Sequence, residues 1–222
     1  MTDKLTEIEA RICGALVEKQ LTTPEHYPLT LNALVAACNQ KTNREPVVSY
    51  DEQTVQKAVD DLREKNLVYV FYGSTSRVPK YKHLLPDAFE LTPPETAVLC
   101  VLMLRGAQTS GELRERTGRL YEFSGIGEVQ ETLDNLMRRD VPLVARLERL
   151  AGQKEARFAQ LLTKEIQSSA SAENSPKKFS TSAEDDAQNI RRIEKLERET
   201  ENLRREINSL REVFDDFKKQ LE

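Results

Sequence analysis

The side chains of this sequence best suited to chemistry are cations and amides. Lys41, Asn43 and Arg44 share one polar run, NQKTNREP, and Arg77, Lys80, Lys82 and His83 crowd the stretch RVPKYKH. Between them lie Tyr50, Gln53 and Gln56, each three residues after the last, and Lys57 beside them. Arg146, Arg149, Lys154 and Arg157 form a second basic group. Lysine and arginine displace the counterions condensed on a phosphate backbone, and glutamine side chains can reach base edges. Arranged in this way, the residues point to duplex DNA, with Lys41, Arg44, Arg77, Lys80, Lys82 and His83 forming one positive ledge.

Catalysis finds no comparable set. There is no Gly-rich phosphate loop, metal-ligand spacing or nucleophile motif. Cys13, Cys38 and Cys100 sit among apolar neighbours and read as small core residues, and His26 and His83 add no ligand spacing. Glu7 and Glu9 face different sides of a helix, so they make no carboxylate dyad. The expectation is a protein that is not an enzyme and needs no cofactor or metal.

Charge limits the DNA reading. The net charge of -4 and pI near 5.5 leave no global basic field, so any phosphate contact must be local. The segment from Asp51 to Lys65 carries Lys57, Arg63 and Lys65 against Asp51, Glu52, Asp60, Asp61 and Glu64. A surface of that sign suits a protein partner better than a phosphate backbone, which keeps a protein-binding scaffold open as the alternative. The loop TTPEHYPLT, with His26 and Tyr27, offers it an aromatic contact. No apolar run reaches the roughly 18 residues needed to span a bilayer, and MTDKLTEIEARI lacks a signal-peptide core. A cytoplasmic protein without membrane attachment is expected.

These residues must be positioned by helices. Over Thr22 to Leu62 the series Leu31, Leu34, Val35, Cys38 and the series Val55, Ala58, Val59, Leu62 both have helical spacing, with a polar turn between them. Ahead of them, Thr6 and Glu9 fit a capping box, and Ile8, Ile12, Leu16 and Val17 supply an apolar stripe. The chain then repeats itself. Leu91, Thr92, Glu95, Val98 and Leu102 stand 86 positions after Leu5, Thr6, Glu9, Ile12 and Leu16, and VQKAVDDL from Val55 reappears as VQETLDNL from Val129. Each half reads helix, helix, helix, strand, turn, strand, which is the order of a winged helix. The predicted middle helices are Leu29 to about Asn39 and TSGELRERTG, and the third helices are about Asp51–Lys65 and Ile126–Arg139. The fold class is therefore mainly α with small β-hairpins. It comprises two tandem winged-helix domains, 1–86 and 87–162, joined near Pro86, Pro93 and Pro94, and relative motion is the default for such a joint.

From about residue 163 to 186 the sequence is rich in Ser, Ala and charge and reads as a flexible linker. Over 187–222 a heptad repeat follows. Ile193, Thr200, Ile207, Phe214 and Leu221 take the a positions, and Leu196, Leu203, Leu210 and Phe217 take d. In a parallel pair Arg192 would face Glu197, Glu199 would face Arg204, and Glu206 would face Arg211, all attractive. This predicts a homodimer through a C-terminal coiled coil; a helix folding back onto its own body is the alternative.

The run EKQLTTPEHYPLTLNALVAACNQKTNREPV, with LTPPETAVLCVLMLRGAQTSGELRERT further on, resembles the YceH-like family of bacteria. The resemblance covers about residues 5 to 162 and not the tail. It implies a pair of winged-helix domains and carries no activity with it. Family-typical positions matched here are Asn32, Asn39, Gln40, Lys41, Asn43, Arg44 and Pro46. Tandem winged helices are also similar to the accessory subunits of condensin-type complexes, the form that the protein-binding alternative would take.

Overall fold

The computed structural model describes residues 4–72, 78–149 and 155–164, which belong to one compact unit. Helix α1 spans Glu7–Thr22 and begins where the capping box places it. Thr6 N–H donates to the Glu9 carboxylate at 2.6 Å, and Glu9 N–H donates to the Thr6 hydroxyl at 3.3 Å. A 3-10 turn, Pro24–His26, leads into β1 (Leu29–Thr30), α2 (Leu31–Cys38) and α3 (Glu52–Glu64). Asp51 caps α3 by accepting Thr54 N–H at 2.7 Å. Strands β2 (Val68–Phe71) and β3 (Lys80–His83) close the first half.

After a short α4 (Leu85–Phe89) the order resumes with α5 (Pro93–Arg105), α6 (Ser110–Thr117), α7 (Ile126–Met137), β4 (Val144–Arg146) and β5 (Phe158–Gln160). Both Thr92–Glu95 and Thr109–Glu112 form capping boxes. The chain is thus mainly helical with small antiparallel sheets.

The first sheet has strand order β1-β3-β2, with Leu29 opposite Tyr81 and Val70 opposite the same residue from the other side. The two-residue strand β1 was not legible as a strand; the sequence placed Leu29 at the head of α2. It exists because Lys80 and Tyr81 offer a free edge, not because of local propensity. In the second half β4 pairs with β5, and an isolated bridge between Gln108 and Phe158 stands where β1 stands in the first.

Helices α1 and α5 lie at the centre. Every residue from Glu9 to Val17 and from Glu95 to Leu104 is buried, on all sides of both helices. A helix apolar or covered all round belongs in the middle of a core. The one-sided stripe of Ile8, Ile12, Leu16 and Val17 therefore understates α1. The second half supplies its missing cover: the Cys100 thiol donates to the Gly14 carbonyl at 3.3 Å, and one hydrophobic cluster contains residues of both halves. The backbones interlock too. Leu5 N–H donates to Leu162 C=O at 2.8 Å, and Glu45 N–H donates to Leu104 C=O, at the end of α5, at 2.9 Å. A shared core of this kind leaves no room for the loose joint expected between the halves.

No helix among the described residues is long and apolar enough to cross a membrane. The heptad residues Ile193, Leu196, Leu203, Ile207, Leu210, Phe214, Phe217 and Leu221 lie outside the described residues, as does the linker beyond Lys164.

Candidate nucleic-acid interface

The first hairpin has two chemically distinct faces. Alternation along β2 turns Val68 and Val70 inward and leaves Tyr69 and Phe71 exposed. On β3, Tyr81 and His83 are buried while Lys82 is exposed and Lys80 half-buried. The register sets Tyr69 opposite Lys82 and Phe71 opposite Lys80. Two aromatic–lysine pairs therefore share the outer face, flanked by exposed Tyr72 and Val78. Reading LVYVFYG only as an apolar stretch missed these aromatics. Their period-two alternation is the signal that would have found them.

Two members of the expected ledge belong to the interior. Arg44 is 5% exposed. Its guanidinium meets the Glu18 carboxylate as a bidentate pair, at 2.6 and 3.0 Å, and also donates to the Ala37 and Asn43 carbonyls and to Gln40 Oε1. It anchors the turn between α2 and α3 and has no donor left for phosphate. His83 is 3% exposed, and neither ring nitrogen has a hydrogen-bond partner. Burial first, and then the nearby Lys82 charge, lower it to about 4, so it is a neutral core residue at neutral pH. Its backbone N–H donates to the Tyr27 hydroxyl at 2.8 Å. Tyr27 thus packs on its own half, and Pro24, Glu25 and His26 are the exposed part of that loop.

The outward side of α3 is mixed. Gln53 and Lys57 are exposed, but so are Glu52 and Asp61. Gln56 donates to Asp60 at 3.0 Å and accepts from the Tyr81 hydroxyl at 3.1 Å, so its amide is already engaged. Tyr50 is half-buried, its backbone held through two hydrogen bonds to the Asn39 side chain. Lys41 and Asn43 are exposed on the turn, Asn43 with a left-handed backbone (φ 58°) and its Oδ1 accepting from Arg105 Nη1 at 3.1 Å. Of the other cations, Arg146 and Arg149 are exposed beside β4, whereas Arg157 is tied to Glu112 at 2.9 Å. Arg77 and Lys154 lie outside the described residues.

The cysteines carry no reactive chemistry. All three are buried; Cys13 and Cys38 are pushed up to about 12 by desolvation, and Cys100 is raised further by the same cause. Among the described residues no three His, Cys, Asp or Glu side chains are grouped to hold a metal ion.

Comparison with known proteins places the chain among relatives without an assigned activity. Residues 5–153 match the family described as "Protein of unknown function, DUF480". The UPF0502 protein of Pelobacter propionicus is 48% identical over 98% of both chains. That of Opitutus terrae is 55% identical over 78% of this chain and 75% of its own. The relative from Vibrio atlanticus, UPF0502 protein VS_II0353, is 44% identical over 97% of this chain and 99% of its own. With the matched region taking in all three capping boxes, both central helices and the hairpin of paired aromatics and lysines, this chain belongs to the DUF480 family.

Proposed function

We propose that this chain is a non-enzymatic, DNA-associated tandem winged-helix protein, and that contact runs through the first hairpin rather than through α3. The observation that supports it is the outer face on which Tyr69 pairs with Lys82 and Phe71 with Lys80. Lysines there can displace counterions, and the aromatic rings offer stacking or sugar contacts beside them. The order helix, strand, helix, helix, strand, strand in the first half is that of a winged helix, and its hairpin is the wing. The C-terminal heptads would bring two such wings together in a homodimer.

A second reading, a protein-binding tandem winged-helix scaffold of the condensin-accessory type, draws support from the carboxylates exposed on the outer side of α3, Glu52 and Asp61, and from the exposed apolar residues of the same hairpin. One experiment separates them. Fluorescence anisotropy of a short duplex with full-length protein, at about 50 and about 200 mM salt, should show affinity that falls steeply with salt. The double variant Lys80→Glu/Lys82→Glu should weaken it by more than about tenfold and flatten the salt slope by about two phosphate contacts. Absence of binding at low salt would sink the DNA reading and leave the scaffold.

A further inference from the structure

A polar cleft of about 650 Å³ opens where the two halves meet, away from the hairpin. It is lined by the last turn of α1, the turn after α2, the last turn of α5 and the end of α6. Five cations reach it, Lys19, Lys41, Arg105, Arg116 and Arg119, against the two carboxylates Glu18 and Glu115. Three helices end at this cleft, and each C-terminus bears about half a negative charge, which Lys19, Arg105 and Arg116 complement. Lys41 and Arg119 sit on loops and answer no helix end.

Of the carboxylates nearby, Glu18 and Glu112 are already engaged, while the exposed Glu115 makes no ion pair among the described residues and leaves the five lining cations in excess. Glu18 is held by Arg44 at 2.6 Å and only grazes Lys19 at 3.8 Å. Glu112 is held by Arg157 at 2.9 Å and meets Arg116 at 3.6 Å. Lys41 and Arg119 make no ion pair among the described residues. Arg105 is fixed in place by Asn43 of the other half, and its Nε is buried without a hydrogen-bond partner. Burial, and next the positive charge of Arg116, both work against the protonated form of Arg105. A cleft with that surplus of positive charge is stabilised by an anion. Val101, Leu104 and Leu120 give it an apolar side as well.

We propose that this cleft binds a small phosphorylated molecule, its phosphoryl oxygens taken by Arg105, Arg116, Arg119 and Lys41 and its organic part resting on Val101, Leu104 and Leu120. This site does not rest on the DNA reading. The same phosphate chemistry could come from a free molecule or from a DNA backbone, so the test has two arms. Isothermal titration of the full-length protein with inorganic pyrophosphate, and separately with ATP, should give saturable binding at one site per chain. Arg119→Gln, an exposed change, and Arg105→Gln should each weaken that binding about tenfold or more. Arg138→Gln, a cation on the far end of α7, should leave it unchanged. In the second arm, duplex DNA affinity should be the same for Arg119→Gln as for the parent. No saturable binding of either probe, or binding that survives both cleft variants or falls equally with Arg138→Gln, overturns the site. Loss of duplex affinity in Arg119→Gln without loss of pyrophosphate binding overturns it as well and makes the cleft part of a DNA surface.

Discussion

Gly14 and Cys100 occupy the same place in the two halves of the chain, and they touch each other. The thiol of one donates to the carbonyl of the other at 3.3 Å across 86 residues, the period of the repeat. Contact between equivalent positions marks the crossing point of a local two-fold arrangement, as at an isologous dimer interface. Both copies keep a small residue there. A Cβ on Gly14 would lie 2.9 Å from Leu104 Cγ and Cδ2 and 3.2 Å from Met103 Cβ.

Gly14→Ala therefore sets two effects against each other. Alanine in place of a helical glycine gains up to about 1 kcal/mol, while overpacking a closed core costs about 1–3 kcal/mol. Leu104 is buried and cannot swing away, so the clash wins and a net loss of about 1 kcal/mol is expected. Urea unfolding of the variant and parent checks this; a stabilised Gly14→Ala would mean that the two helices separate easily.

The repeat also duplicates an ion pair. Lys65 Nζ donates to both Glu9 oxygens at 2.6 and 2.8 Å, and Arg139, 74 residues on, reaches Glu95 at 3.3 Å. Burial alone would raise the Glu9 carboxyl, but Lys65 and the amide and hydroxyl of Thr6 together hold it below its usual range. Its contribution is thus present above the unfolded carboxylate value and lost as pH falls through the lower folded one. In Lys65→Met only the Thr6 hydrogen bonds still oppose the burial. A loss of about 2–3 kcal/mol near neutral pH is expected, shrinking rather than growing as pH falls below 5. Chemical denaturation across pH 3.5 to 7 reads both the size and the slope.

His83 supplies a second window. Its folded value of about 4 lies below the ordinary 6.5, so the unfolded chain takes up a proton first as pH falls. Stability should drop by about 3 kcal/mol between about pH 6.5 and 4 from this group. His83→Leu removes two unpaired buried nitrogens and should flatten that window, with stability at pH 7 within about 1 kcal/mol of the parent. A slope that persists in the variant would assign it to other groups.

The proposed dimer is tested by truncation. A chain ending at Ala170 keeps the shared core and loses every heptad position, so sedimentation should report a dimer for the full chain and a monomer for the truncated one. A dimer in both would move the interface onto the core.

What the sequence made legible was local. Thr6 with Glu9, and Thr92 with Glu95, announced both central helices because a cap needs only three residues of spacing. The third helices followed from helical periodicity, and the hairpins from short apolar stretches on either side of a turn. What it concealed depended on distant partners. Arg44 looked like a free cation because Glu18, 26 residues away, is what buries it. His83 looked basic because nothing in RVPKYKH tells which face of β3 meets the core. Likewise Arg105 and Arg116 are ordinary helix-end cations, and Arg119 an ordinary loop cation, until the two halves meet around them.

The pairing of Leu5 with Leu162 and Thr163 has a further consequence. The first and last described segments of this core lie side by side, so its backbone runs very nearly as a closed ring. A circular permutant with the old termini of that core bridged and new ones opened between Tyr72 and Val78 should keep every helix-to-helix contact. It would also free the hairpin's two strands to be supplied as the ends of the chain, making the proposed contact surface detachable from the body that carries it.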